Sequence, residues 1–153
     1  MTKTIANKLV LGAGPRYLKQ KDEYLVDIRP FENVDAVYDL NKVPWPWDAR
    51  FFIHVSAVHV VEHLHSLVNF MNECWRVLQP GGSLYLETPL AGANPDLEYA
   101  DPEHIRCYRI HTFVNYFSLE GIERFGYTDK PWNFFHLKVV NDCIILHAYP
   151  IKR

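Results

Sequence analysis

The stretch from Val60 to Thr88 constrains this chain more than any other. Leu64, Leu67, Val68, Met71, Trp75 and Leu78 recur three and four residues apart, which is the pattern of an amphipathic helix from about Val60 to Leu78. Pro80-Gly81-Gly82 stops that pattern, and Ser83–Thr88 (SLYLET) then reads as a strand. Just upstream, Phe51–Ser56 (FFIHVS) is almost unbroken in its apolar character, as expected of a strand buried on both faces. Strand, helix and strand in that order belong to an α/β sheet.

The remaining apolar runs are short and bounded by turn residues. Lys8–Leu11, Glu23–Ile28 and Asp35–Leu40 read as earlier strands, and a second helical stretch is expected from about His111 to Gly121. Asn133–Val140 and Cys143–Tyr149 flank Asn141-Asp142, the spacing of a β-hairpin. Few residues separate the first three strands, whereas a parallel crossover commonly takes a helix of ten or more residues. The early crossover helices must therefore be reduced or absent. One face of the sheet is then thinly covered, leaving an apolar patch through which the chain could dimerise. No linker interrupts residues 1–153, so a single domain is expected.

Composition excludes several classes of function. The formal net charge is -2, without the basic excess of a nucleic-acid binder. No apolar run is long enough to span a bilayer, and the N-terminus lacks the apolar core of a signal peptide. Cys74, Cys107 and Cys143 form no CxxC pair and read as reduced thiols in a cytoplasmic protein. A monomer or homodimer is expected.

Three features carry chemistry. His59–His65 (HVVEHLH) contains His-x-x-Glu-His, the inverted signature of zinc hydrolases, with His59, Glu62 and His63 as its polar members. A zinc site needs a third ligand, and no partner of the right context stands out in the sequence, so no metal is expected. Gly12-Ala13-Gly14 follows the first strand, where glycines let a ligand approach the backbone at the carboxyl edge of a sheet. The third glycine of a dinucleotide loop is replaced by Tyr17, which argues against NAD. Asp27 ends the second strand, where a carboxylate can accept ribose hydroxyls, although taken alone it reads more readily as a turn-forming residue before Arg29-Pro30.

Taken together, LVLGAGPR, YLVDIRP, VYDLNKVPWP and VHVVEHLHSLVNFMNECWRVLQPGGSLYLETP resemble the ordered motifs of class I S-adenosylmethionine-dependent methyltransferases, in their compact branch. RVLQPGGSLYLETP is the most specific piece. The resemblance implies a Rossmann-like, mostly parallel sheet with S-adenosylmethionine as cofactor. It puts Gly12, Ala13 and Gly14 under the methionyl group, Asp27 on the ribose and Asp39-Leu40 beside the adenine. Ser56, Ala57 and His59 would lie near the sulfonium and the acceptor. Glu62 and His63 then belong to a helix entry, where the helix dipole favours the carboxylate.

The expected activity is methyl transfer to a small molecule, with His59 and His104 as candidate bases and Arg106 and Tyr108 as acceptor-orienting groups. Trp45, Trp47, Phe134 and Phe135 either wall the pocket or, as aromatic residues more often do, anchor the core. The competing readings are a cofactor-binding but non-catalytic partner domain and a zinc-dependent hydrolase using His59, Glu62 and His63.

Overall fold

A computed structural model describes residues 6–152. Its elements are β1 (Lys8–Leu11), β2 (Glu23–Asp27), β3 (Ala36–Val37), β4 (Phe52–Val58), a single 3₁₀ turn (Val61–His63), α1 (Leu67–Val77), β5 (Leu78–Pro89), α2 (Pro95–Tyr99), α3 (Ile110–Phe117), α4 (Leu119–Phe125), β6 (Trp132–Val140) and β7 (Cys143–Pro150). The strands form one sheet in the order β3-β2-β1-β4-β5-β7-β6. Strands β1 to β5 pair in parallel, while β7 runs antiparallel to both β5 and β6. The expected α/β sheet with a terminal hairpin is what forms. Asn141 and Asp142 close the hairpin with φ of 49° and 62°, the left-handed pair of a two-residue turn.

The main helix starts later than its apolar spacing suggests. After the 3₁₀ turn the chain straightens at Leu64, with ψ of 146°, and Ser66 then caps α1 by accepting a hydrogen bond from Asn69 N at 3.2 Å. Glu62 is therefore not in the first turn of a long helix, and the dipole argument for it does not apply. The second helical stretch is likewise split by Ser118, which ends α3 and caps α4. Strand β3 shrinks to two residues, and β5 extends back through Pro80-Gly81-Gly82.

The connections 12–22, 28–35 and 38–51 contain no helix, as the short spacings require. The core consequently lies on one face of the sheet. There Leu9, Leu11, Val55, Ala57, Leu84, Leu86 and Leu146 meet Phe70, Met71 and Cys74 of α1 and Phe113 and Phe117 of α3. The opposite face departs from expectation. Its cross-strand rows are polar and aromatic, not simply apolar: His54 meets Ser83 at 2.8 Å, and Tyr85, His147 and His136 lie side by side across three strands. Phe135, 53 % exposed, stacks on Tyr149 at 5.3 Å.

The VPWPW loop takes over the work of the missing third crossover helix. Trp45 and Trp47 pack edge-on to each other, Trp45 against Phe70 and Trp47 against Phe52. Glu73 of α1 ties this loop down: it accepts Trp45 N at 2.6 Å and three hydrogen bonds from the Arg76 guanidinium, which itself donates to Trp45 O and Trp47 O. Both tryptophans are thus core anchors. Phe134 packs on the core from the edge strand β6, and neither phenylalanine borders the cleft described below.

Candidate active site

Parallel strands end together at their carboxyl edge, and the loops that leave them there surround a cleft of about 730 Å³. Gly12 and Gly14 have φ of 66° and 67°, so the loop after β1 turns back over the strand ends. Three contacts hold it: Gly14 N donates to Asp27 Oδ2 at 2.9 Å, Ala13 N to Val26 O at 3.1 Å, and the Asn33 amide to Gly14 O at 2.9 Å. The other Asp27 oxygen accepts Arg29 N at 2.9 Å. Asp27 therefore builds the loop, which is the turn-forming role, and it also borders the cleft.

A side chain at Gly12 has no room, because its Cβ would sit 2.4 Å from Val60 Cγ2, whereas the same position at Gly14 is open. Gly14→Ala is expected to cost only the left-handed backbone, about 1–2 kcal/mol. Gly12→Ala adds overpacking against Val60, about 1–3 kcal/mol more. Chemical denaturation of the two variants measures the difference, and equal stabilities would mean that Val60 does not crowd Gly12.

Gly12, Gly14, Asp27, Asp39, Leu40 and His59 all line the cleft. Ala13 lies in the same loop without lining it. Ser56 and Ala57 are not brought there: Ala57 is buried in the core, and Ser56 lies in the cross-strand row of Tyr85 on the opposite face. The 28–41 segment gives the cleft its other wall through Phe31, Tyr38 and Asn41.

His59 leaves β4 with φ of 52°, a left-handed turn uncommon outside glycine and frequent at functional sites. Its Nδ1 lies 3.0 Å from Glu62 Oε1, and its Nε2 lies 3.6 Å from Glu87 Oε1. The carboxylate can only accept, so Nδ1 carries the proton and Nε2 keeps its lone pair when the ring is neutral. The Glu62 hydrogen bond raises the imidazole pKa above its ordinary value, and burial works against it. Glu62 is 0 % exposed and its second oxygen accepts from Thr88 Oγ1 at 3.0 Å. Its backbone oxygen accepts Ile105 N and Arg106 N, which docks the segment after α2 onto the 3₁₀ turn.

His104 and His63 meet at that junction, their rings 4.7 Å apart and near perpendicular. With His59, Asp96, Leu97 and Asp101 they line an open surface depression of about 550 Å³, which shares His59, His63 and Asp101 with the cleft. Arg106 is exposed and lines neither cavity. Tyr108 is only 6 % exposed and donates to Val61 O at 3.3 Å; burial pushes its phenol up to about 12. It is a buried anchor, not an orienting group at a surface. Sequence reasoning missed Glu87 and Thr88, whose strand gave no sign of facing the histidine turn. Glu62 was visible at the right spacing but was assigned to a helix it does not join.

Residues 18–86 match the family described as Methyltransferase domain. The resemblance to class I S-adenosylmethionine-dependent methyltransferases is borne out by this match and by the sheet order. Solved structures share the fold at low identity. An S-adenosylmethionine-dependent methyltransferase from Archaeoglobus fulgidus is 16 % identical with a TM-score of 0.65, over 94 % of this chain and 86 % of that one. A methyltransferase from Haloferax volcanii in complex with the Trm112 methyltransferase activator is 11 % identical with a TM-score of 0.64, over 95 % and 83 %. The methyltransferase CalH, in complex with SAH, is 16 % identical with a TM-score of 0.63, over 97 % of this chain and 52 % of that one. No curated protein sequence matches the chain. Among the described residues no helix is long and apolar enough to cross a membrane.

Proposed function

We propose that the protein binds S-adenosylmethionine in the cleft at the carboxyl edge of the sheet and transfers its methyl group to a small-molecule acceptor held in the adjoining cavity. The observation that carries this reading is the convergence of Gly12, Asp27 and His59, the last held from behind by buried Glu62, on one 730 Å³ cleft. The cleft is within the usual range of small-ligand sites. Nothing lies within 4 Å of where a Gly14 side chain would begin, which leaves the backbone bare where a cofactor would approach, and the Asp27 carboxylate, already holding two amides, keeps further lone pairs. Tyr38, Asp39, Leu40 and Asn41 provide a wall for a flat heterocycle.

The sulfonium supplies an activated methyl group, so the protein's task is chiefly to hold two reactants in line. His59 is set to receive a proton from a hydroxyl or ammonium acceptor at Nε2, with Glu62 fixing its ring through Nδ1. His104 is farther from this role, since its Nδ1 is spent on Glu98 O at 3.0 Å and its ring rests on His63. The small acceptor is supported by the size of the second cavity, and a cytoplasmic setting by three unpaired cysteines.

Asp27→Asn is expected to weaken S-adenosylmethionine binding at least about tenfold, the loss of one charge-assisted hydrogen bond of about 1.5–3 kcal/mol. Because Asp27 also holds Gly14 and Arg29, the melting temperature falls as well. Calorimetry and thermal unfolding of the same variant separate the two roles. A lower melting temperature with unchanged affinity per folded molecule takes Asp27 out of the cofactor site.

A second reading has one observation in its favour. The part of the second sheet face over β5, β7 and β6, with Phe135 and the Tyr85–His147–His136 row, suits a domain that works with a partner subunit. The Haloferax volcanii neighbour is itself a methyltransferase bound to an activator. Cofactor binding without turnover, in protein that stays monomeric, favours this reading over the first.

A further inference from the structure

We propose that His63, His104 and the Glu62 carboxylate form a site for one divalent transition-metal ion of the zinc class, opening onto the acceptor-side cavity. One ligand atom from each of these three residues lies within 4.8 Å of the others. The absence of a third ligand was the ground for excluding metal from the sequence. His104 supplies it, carried in by the hydrogen bonds of Ile105 N and Arg106 N to Glu62 O.

Three features make this more than proximity. The first is the tautomer of both rings. His63 Nδ1 lies 3.2 Å from Glu103 O and His104 Nδ1 lies 3.0 Å from Glu98 O. A carbonyl accepts and never donates, so each Nδ1 carries the proton and each Nε2 has a free lone pair. A backbone carbonyl on the remote nitrogen is the usual outer-shell support of a metal-bound imidazole. The second is the state of Glu62. It is fully buried, and among the described residues its one ion-pair partner is the half-exposed His59. A buried carboxylate without a full positive charge beside it is costly, and a dication at its edge offsets that cost. Its oxygens keep lone pairs beyond those facing His59 and Thr88.

The third is reach and access. Metal–ligand distances near 2.1 Å put tetrahedral ligand atoms about 3.4 Å apart, so the trio must close by only about an ångström. Rotation of two half-buried rings at a cavity wall can provide that movement. Two of the three ligands, His63 and His104, border the open 550 Å³ depression, which Asp101 also lines. Two imidazoles and a carboxylate suit zinc, and three protein ligands leave a position open to a water or an acceptor oxygen.

The test uses untagged full-length protein stripped of metal. Elemental analysis after Zn²⁺ loading and desalting, and titration with Co²⁺ followed by visible absorption, are expected to give one ion per chain with a four-coordinate spectrum. His63→Ala and His104→Ala should each weaken binding beyond the roughly 10–100-fold that follows loss of an outer-shell partner. His111→Ala, an exposed histidine of α3, should bind like the parent. Thermal unfolding of each variant without metal establishes that it is folded. No stoichiometric ion in the parent protein overturns the proposal, as does binding that survives in folded His104→Ala. A thiolate charge-transfer band also overturns it, because that places the ion on the alternative cluster of His59, Glu87 and Cys143.

Discussion

His59→Ala is expected to lower turnover on a hydroxyl acceptor by about 10²–10⁴-fold, the usual contribution of a positioned general base. Affinity for S-adenosylmethionine should change little, because the anchoring groups proposed for the cofactor are Asp27 and the glycine loop. The prediction rests on how the imidazole is held. Its backbone is left-handed, Glu62 takes Nδ1, and Nε2, with Glu87 Oε1 3.6 Å away, is the nitrogen left to receive an acceptor's proton. Steady-state release of the demethylated cofactor, with cofactor affinity measured separately, distinguishes loss of chemistry from loss of binding. An acceptor that is already a neutral amine needs no base. Turnover unchanged in the variant would therefore remove His59 from the chemistry and leave it as a wall of the cavity.

Glu73→Ala should destabilise the fold by about 3–5 kcal/mol, the cost of removing one member of a buried ion pair. Glu73 holds the Arg76 fork and the Trp45 amide at once, and Arg76 holds two carbonyls of the same loop. Without the carboxylate, a guanidinium is left half-buried with no counter-charge, and the Trp45 amide loses its acceptor. The loop from β3 to β4 replaces a crossover helix and seats Trp45 on Phe70, so its release reaches the core directly. Glu73→Gln keeps the shape and an acceptor but not the charge, and should recover part of the loss. Equilibrium unfolding in urea measures both. A change below about 1 kcal/mol for the alanine variant would show that hydrophobic packing alone holds the loop.

What the sequence revealed of the fold depended on whether the signal was local. The hairpin was legible because Asn141-Asp142 is the pair that a two-residue turn demands, and both residues adopt left-handed φ. The missing crossover helices were legible from arithmetic alone, since the connections are too short to hold them. The start of α1 was not, because Val60, Val61 and Leu64 continue the apolar spacing while a cap at Ser66 decides the boundary. Helix α2 left no local signal, because its five residues are mostly polar and carry no apolar repeat.

For the site, residues bound to one sheet edge were the readable ones. Gly12, Gly14, Asp27, Asp39 and His59 all follow strand ends in the sequence and meet at the cleft. Tyr108 was misjudged because its neighbours are polar, and the pairing of Leu90 with Tyr108 that buries it joins distant segments. Ser56 and Ala57 were misplaced by one or two residues of strand: β4 runs on to Val58, so the turn that faces the cleft begins at His59. The meeting of His63 with His104 was invisible for the same reason, since only the docking of the 101–106 segment on Glu62 brings them together.

The most direct measurement of the central claim is calorimetric titration of the purified chain with S-adenosylmethionine, S-adenosylhomocysteine and NAD. The account predicts saturable binding of the first two at one site per chain, competition between them, and no response to NAD, for which Tyr17 stands where a third glycine would be required. Binding of NAD with no response to either sulfur compound would contradict it.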